Sequence, residues 1–375
     1  MAKKGSKLLW RVVAVVAAIA AAAAILWALA GEGALFVLRF QEGADGFSVA
    51  YDAEEMVARL RDGREVPIRT YVPPGGHERV VLVIHGVHRG GYDEPRLLYF
   101  TKRLVEAGFA VVTPELEALK RYEIEARTVD DIEELVGWTA ALPLNRSSRR
   151  DERIGLVGIS FGGGLSVSAA GRVDAGRALA FVFAFGGHGD LKRTMGFLAK
   201  GEAAEGGWRK PHVYGQAVEV RMFAQELVPE ADVAPLRAAL LAYLEDRRAD
   251  AESLAKGLGP EAQKLVRLSL DGNADELGPI LAPLVERFEP DASLSPERQP
   301  APPCPVYLLH GADDNVIPAS ETTALAASLT ERADAHALVT DLIQHVELKA
   351  KDEAASPPLS SYWRLARFWT ELLGE

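Results

Sequence analysis

The chain has 375 residues, of which 48% are apolar and 25% are charged, a balance typical of a globular protein and not of a disordered one. Lys and Arg number 42 against 53 Asp and Glu, so the net charge is −11, and this sign disfavours a nucleic acid as a partner. The single cysteine, Cys304, excludes an intramolecular disulfide, and no Cys/His cluster has the spacing of zinc ligands.

The N-terminus carries an apolar run that follows four basic residues. Residues 12–30 are 19 uncharged positions, close to the length of about 20 that crosses a bilayer as a helix. The basic residues on its N-terminal side predict that this end stays in the cytoplasm. We therefore predict that 1–30 is a transmembrane anchor that places the remaining chain outside the cytoplasm. The alternatives are a signal peptide cleaved after Ala28-Leu29-Ala30, which yields a secreted protein, and an Ala-rich helix buried in the soluble domain.

After a predicted connector at 31–63, short apolar runs alternate with longer amphipathic ones. The pattern predicts strands at 80–84, 109–113, 153–159, 179–185, 305–309 and 336–342, and helices at 95–107, 128–142, 162–172, 320–332 and 359–373. Such alternation is typical of parallel βαβ units with right-handed crossovers. Between 188 and 300 helical patterns continue without a convincing strand. We predict a doubly wound, mostly parallel α/β sheet formed by 64–187 and 301–375, with a helical cap inserted at 188–300.

A serine lies between the predicted strand at 153–159 and the helix that follows it. Gly158-Ile159-Ser160-Phe161-Gly162 matches G-x-S-x-G, and a strand, a sharp turn and a helix are the context in which this motif exposes a nucleophile. The two glycines carry no side chain that would collide with the neighbouring backbone at this turn. The sequence therefore predicts Ser160 as a nucleophile.

A serine nucleophile needs a base and an acid that orients the base. The chain order typical of this motif is Ser, then Asp or Glu, then His. The segment His310-Gly311-Ala312-Asp313-Asp314-Asn315-Val316-Ile317-Pro318 resembles the H-G-x-x-D-x-x-[VI]-P loop of α/β-hydrolases, which implies Asp314 as the acid and Asp313 as a solvated neighbour. His345 follows the strand at 336–342 and is predicted to be the base, whereas His336 lies at the wrong end of that strand. Asp190, after the strand at 179–185, is the alternative acid.

Two backbone N–H groups are expected to stabilise the oxyanion. One belongs to Phe161, directly after the nucleophile. The other is predicted at Val87, because His85-Gly86-Val87 resembles the H-G-x loop of the same family. His85 and His310 each belong to an H-G dipeptide, and we interpret both as structural residues.

These four ordered features resemble the α/β-hydrolase superfamily over residues 64–375. Residues 90–110 are in addition similar to membrane-linked bacterial hydrolases, a resemblance that implies no particular activity. The family implies a serine hydrolase that needs neither a metal nor an organic cofactor. Its predicted substrate is a small or lipid-like acyl compound, first of all a carboxylic ester. The alternatives are a serine peptidase of the same fold and a non-catalytic relative that binds a ligand or partner.

Overall fold

The computed structural model describes residues 24–40, 50–203, 208–344, 347–348 and 358–375. The described residues form two compact units. Residues 24–40 and 358–375 make up the smaller unit, and the described residues from 50 to 348 make up the larger one.

An eight-stranded sheet forms the centre of the larger unit. Its strands are β1 (Asp52–Arg59), β2 (Glu65–Val72), β3 (Arg79–Ile84), β4 (Phe109–Pro114), β5 (Ile154–Ile159), β6 (Leu179–Phe185), β7 (Val306–Gly311) and β8 (Ala335–Thr340). They lie in the order β1-β2-β4-β3-β5-β6-β7-β8. Strand β2 is antiparallel to both of its neighbours, and the other pairs are parallel. The predicted doubly wound, mostly parallel sheet is confirmed, and its arrangement is that of the α/β-hydrolase fold.

Helices cover the sheet and fill the segment between β6 and β7. Those outside this segment are α2 (Pro95–Glu106), α3 (Glu117–Lys120), α4 (Ala126–Ala140), α5 (Phe161–Ala170), α6 (Val173–Ala178) and α14 (Ser320–Leu329). Those between β6 and β7 are α7 (Leu191–Lys200), α8 (Val213–Met222), α9 (Ala224–Leu227), α10 (Glu230–Leu244), α11 (Arg248–Ala255), α12 (Pro260–Leu270) and α13 (Ala274–Arg287). We call α7–α13 with their connections the helical insertion.

The central strands show why their positions were visible in the sequence. Every residue of β3, β4, β5, β6 and β7 is buried. Strands of a parallel sheet covered on both faces are close to continuous apolar runs, and this is the pattern of these five segments.

Strand β1 corrects the prediction of a connector at 31–63. It pairs with β2 over its full length, but most of its residues are exposed. It carries the charged residues Asp52, Glu54, Glu55 and Arg59. Charged side chains of this kind protect an edge strand from pairing with other chains. This composition hides the strand from a search for apolar runs, so the sheet begins earlier than the sequence pattern predicts.

The smaller unit is a pair of helices, α1 (24–40) and α15 (Leu359–Gly374). The Gly33 N–H donates to Thr370 Oγ1 over 2.9 Å, and the Phe36 and Trp369 rings lie 4.2 Å apart between centroids. A Cβ on Gly33 would lie 1.8 Å from the Ala366 carbonyl oxygen, so the close approach requires glycine. Helix α15 therefore groups with α1, although the sequence pattern assigned it to the core at 301–375.

The predicted anchor at 1–30 lies outside the described residues as far as position 23. Residues 24–30 belong to α1, which is described past the predicted end at Ala30 as far as residue 40. No helix in the described ranges combines the length and the apolar character needed to cross a membrane.

Candidate active site

Ser160 occupies a sharp turn between β5 and α5. Its backbone has φ 54° and ψ −131°, a conformation that costs free energy in a residue with a side chain. The Ser160 N–H donates to the Phe185 carbonyl oxygen over 2.8 Å, and its own carbonyl accepts from Gly163 N–H, also over 2.8 Å. These bonds fix the strained turn at the end of β5, as the G-x-S-x-G motif predicts.

The glycines around Ser160 leave no room for side chains. A Cβ on Gly158 would lie 2.4 Å from the Gly162 carbonyl oxygen, and one on Gly162 would lie 2.4 Å from the His85 carbonyl oxygen. A Cβ on Gly86 would lie 3.1 Å from the Ser160 Cβ. The loop after β3 therefore packs directly against the serine turn, and Gly86 and Gly162 make that contact possible.

The two predicted oxyanion donors lie on either side of this contact. Phe161 is the first residue of α5, and an N–H at that position has no partner within its own helix. Val87 directly follows Gly86 and is half-buried, and its N–H donates to no group among the described residues. Both N–H groups are thus able to donate to a negatively charged oxygen, and the N-terminus of α5 at Phe161 favours such a charge.

His85 is a structural residue. Its Nε2 accepts the Leu116 N–H over 3.0 Å, so Nδ1 carries the proton and donates to the Gly86 carbonyl oxygen over 2.7 Å. Burial lowers the pKa of His85 to about 4. The ring is neutral at pH 7 and connects the loops that follow β3 and β4, as the sequence interpretation expected.

Asp314 lies fully buried in the loop after β7. One carboxylate oxygen accepts the N–H groups of Val316 and Ile317 over 2.8 and 3.0 Å. The other oxygen lies 3.3 Å from Nε2 of His310. His310 is buried too, and its ring bridges Thr322 Oγ1 (2.7 Å) and the Ile317 carbonyl oxygen (2.8 Å), so it shapes the loop and is not placed to act on Ser160.

The two alternatives weighed from sequence have other surroundings. The Asp313 side chain is 62% exposed. Asp190 caps α7, because one of its oxygens accepts the Arg193 N–H over 2.9 Å, and its second oxygen lies 3.4 Å from Nε of Arg298. Asp190 therefore has a structural role at the start of the helical insertion.

His345 lies outside the described residues, between the short strands β9 (Ile343–Gln344) and β10 (Glu347–Leu348) in the chain. Its role as the base stays a prediction. His336 is the second residue of β8 and pairs in register with Tyr307, which places it at the amino end of the strand, away from the turn at Ser160.

The sheet brings the described candidates to one edge. Strands β3, β5, β6, β7 and β8 are parallel, so their carboxyl ends lie at the same edge, where ligands bind in open α/β sheets. Ile84 pairs with Gly158, and Phe185 pairs with both Ile159 and Leu309. Val87, Ser160 and Asp314 each follow one of these strands by one to three residues.

The structure adds groups that the sequence reading missed. Arg209 of the helical insertion donates to the Asp314 carbonyl oxygen over 2.9 Å, and the His212 N–H donates to that of Asn315 over 2.8 Å. Arg89, in the loop after β3, forms an ion pair of 3.0 Å with Asp246. The insertion thus contacts the loops that carry Val87 and Asp314, and no sequence motif marks these residues.

No group of three or more His, Cys, Asp or Glu side chains in the described part of the chain is arranged to hold a metal ion. No protein-family model matches the chain, and no curated protein matches it.

Several solved structures are similar to this one. An esterase of Pyrococcus furiosus is 14% identical, with 86% of this chain and 92% of that chain covered and a TM-score of 0.46. Brefeldin A esterase, a bacterial homologue of human hormone-sensitive lipase, is 15% identical, with 94% and 84% covered and a TM-score of 0.48. The acylaminoacyl peptidase of Pyrococcus horikoshii is 13% identical, with 88% of this chain but 42% of that chain covered and a TM-score of 0.48. Similarities this distant do not identify a reaction or a substrate.

Proposed function

We propose that the chain is a serine hydrolase that cleaves an acyl bond through Ser160. The observation that carries the proposal is the backbone of Ser160, a non-glycine residue at φ 54° with Gly86 packed against it. Strain of this kind persists where the surrounding structure imposes it, and it clusters at active sites. A serine with only a structural role needs no such conformation.

The proposed reaction has two steps. Ser160 Oγ attacks the acyl carbonyl carbon while His345 accepts the hydroxyl proton, and His345 then gives that proton to the leaving group as the acyl bond breaks. In the second step water gives a proton to His345 and attacks the acyl-enzyme. The bond between the acyl group and Ser160 Oγ then breaks, His345 returns the proton to Oγ, and the acid is released.

The other predicted residues support these steps. The carboxylate of Asp314 orients the His345 imidazole and stabilises its charged form. The N–H groups of Phe161 and Val87 donate to the oxyanion of each tetrahedral intermediate. We propose Asp314 over Asp190 because both oxygens of Asp190 are engaged at the start of α7, by the Arg193 N–H and by Arg298, whereas Asp314 lies fully buried in the loop that resembles H-G-x-x-D-x-x-[VI]-P.

We propose a carboxylic ester of a small or lipid-like acyl group as the substrate. The apolar run near the N-terminus supports the lipid-like class, since it favours a position at a membrane. A serine peptidase with the same residues is the second candidate, and comparing matched ester and amide substrates separates the two.

Labelling with a fluorophosphonate probe tests the proposal. We expect the full-length protein to be labelled and the Ser160→Ala variant not to be, because the probe reacts with an activated serine. Ser168→Ala is the matched control: Ser168 lies on α5, and its buried hydroxyl has no hydrogen-bond partner among the described residues. Labelling that persists in Ser160→Ala, or a folded wild type that takes no label, would contradict the proposal, and the latter result would favour a binding protein.

We further propose that the protein is anchored in a membrane with its sheet outside the cytoplasm. The first residues of α1 are apolar and exposed, with Ile25, Leu26 and Trp27 each more than half exposed. They continue the apolar run that begins at residue 12, and a run of this length fits a bilayer.

The anchor makes a prediction that differs from that of a cleaved signal peptide. We expect the full-length protein to stay in the membrane fraction after an alkaline carbonate wash and to retain its original N-terminus, as read by mass spectrometry of the purified protein. A soluble protein that begins at Gly31 would show cleavage after Ala30 instead.

A further inference from the structure

Three non-glycine residues among the described positions have positive φ: Ser160 at 54°, Tyr122 at 59° and Asp246 at 58°. Such conformations are uncommon for residues with a side chain, and strain tends to collect where function needs it. The first of the three is the proposed nucleophile. The other two lie near the end of α10 in the helical insertion: Asp246 follows that helix, and Tyr122, which follows α3, hydrogen-bonds to its last residue.

Asp246 contacts the loop that follows β3 through its carboxylate. It follows the end of α10, and one of its oxygens accepts the Tyr214 hydroxyl over 2.5 Å. Its second oxygen forms the 3.0 Å ion pair with Nη2 of Arg89. The left-handed backbone at Asp246 therefore turns a carboxylate of the insertion toward a loop of the sheet, where it meets a guanidinium.

Tyr122 makes a second link at the same place. Its hydroxyl donates to the carbonyl oxygen of Leu244, the last residue of α10, over 2.6 Å. Burial raises the pKa of Tyr122. Tyr122 thus holds the end of α10 two residues before Asp246, which pairs with the side chain of Arg89.

Arg89 belongs to the short loop 85–91, which we call the oxyanion loop because it contains Val87. Its first residue is fixed by the bonds of His85. Its last residues fold onto His88, whose Nδ1 accepts the Gly90 N–H over 3.0 Å and whose carbonyl accepts the Gly91 N–H over 2.9 Å. These bonds are local, whereas the contact at Arg89 joins the loop to the helical insertion.

We propose that Asp246 is a positioning residue for the oxyanion hole, through which the helical insertion sets the place of the Val87 N–H. Asp246 does not touch the substrate. It acts on Arg89, two residues after Val87, and Tyr214 orients its carboxylate. The proposal rests on the proposed serine-hydrolase function, and it assigns to the insertion a part in stabilising the transition state.

The variant Asp246→Asn tests the proposal in the full-length protein. It keeps the size of the side chain and removes the charge that pairs with Arg89. Because the pair is about half exposed, we expect kcat for p-nitrophenyl butyrate to fall about fivefold, as loss of an exposed ion pair permits, with KM unchanged. Asp246→Glu is expected to restore part of the rate, and Arg89→Gln to lower it without adding to Asp246→Asn in the double variant.

Asp250→Asn is the matched control. Asp250 lies near Asp246 at the start of α11 and pairs with Arg247 at 2.7 Å, so its loss removes a similar ion pair that does not reach the oxyanion loop. We expect its kcat and KM to equal those of the wild type.

Amide hydrogen exchange gives a readout that does not depend on activity. We expect faster exchange across residues 85–91 in Asp246→Asn and unchanged exchange there in Asp250→Asn. Unchanged exchange and an unchanged kcat in Asp246→Asn would overturn the proposal, as would a change confined to KM. Failure of the proposed hydrolase function can be distinguished from failure of the positioning role alone, because in the first case the wild type takes no fluorophosphonate label. The positioning role would then be excluded as well.

Discussion

The Asp314→Asn variant is expected to lose activity by about 10⁴-fold in kcat while keeping its fold. Asparagine retains an oxygen that can accept the N–H groups of Val316 and Ile317, so these two bonds of the loop are kept, although the 3.3 Å contact with His310 Nε2 loses its charge. Its amide group, however, donates where the carboxylate accepted, which favours the wrong tautomer of the His345 imidazole. Steady-state hydrolysis of p-nitrophenyl esters measures the loss, and thermal unfolding checks the fold.

Asp313→Asn is the control for this prediction, since it makes the same change at the adjacent, mostly exposed position. Its kcat is expected to stay within about twofold of the wild type, as for most exposed substitutions. Asp190→Asn examines the alternative acid. A large loss in Asp190→Asn with normal activity in Asp314→Asn would reverse the assignment.

The His345→Ala variant is expected to lower kcat by at least about 10⁴-fold, because without its base Ser160 remains a weak nucleophile. Fluorophosphonate labelling should slow to a similar extent, since the probe reacts with the same activated hydroxyl. Added imidazole is expected to restore part of the ester hydrolysis, because a free base can enter the space that the side chain leaves.

His336→Ala provides the comparison, because His336 is a β8 residue at the amino end of the strand. It stacks on the Tyr307 ring with 4.8 Å between centroids, so its loss should affect stability and not the chemical step. If His345→Ala reacts at the wild-type rate, another group must be the base. His88, on the oxyanion loop, would be examined next.

The sheet could be predicted from sequence as far as its strands are buried on both faces. Strands β3 to β7 are continuous apolar runs because water reaches neither side of them. The turn at Ser160 was predictable for a related reason. The close contacts at Gly158 and Gly162 exclude side chains, so glycine is required at both positions and the G-x-S-x-G motif is visible in the sequence. Local constraints of this kind act on every residue of a short motif.

Other features depend on contacts between distant parts of the chain. Strand β1 carries the charged side chains of an exposed edge strand. It is recognised as a strand by its pairing with β2 and not by its composition. The contact of Arg89 with Asp246 joins two charged residues that, in sequence, look like ordinary surface residues. Helix α15 has the amphipathic pattern of a core helix, yet the surface that its apolar face covers is α1. In each case the partner is absent from the local pattern.

The pairing of α1 with α15 also bears on how the protein can be shortened or tagged. A truncation that begins after residue 40 would leave the apolar face of α15, including Trp369, without the partner it has in the full chain. Removing residues 358–375 would do the same to Phe36. A bulky fusion at Glu375 adds mass directly beside this helix pair, so an affinity tag there needs a flexible spacer. The two ends of the polypeptide are best kept or removed together.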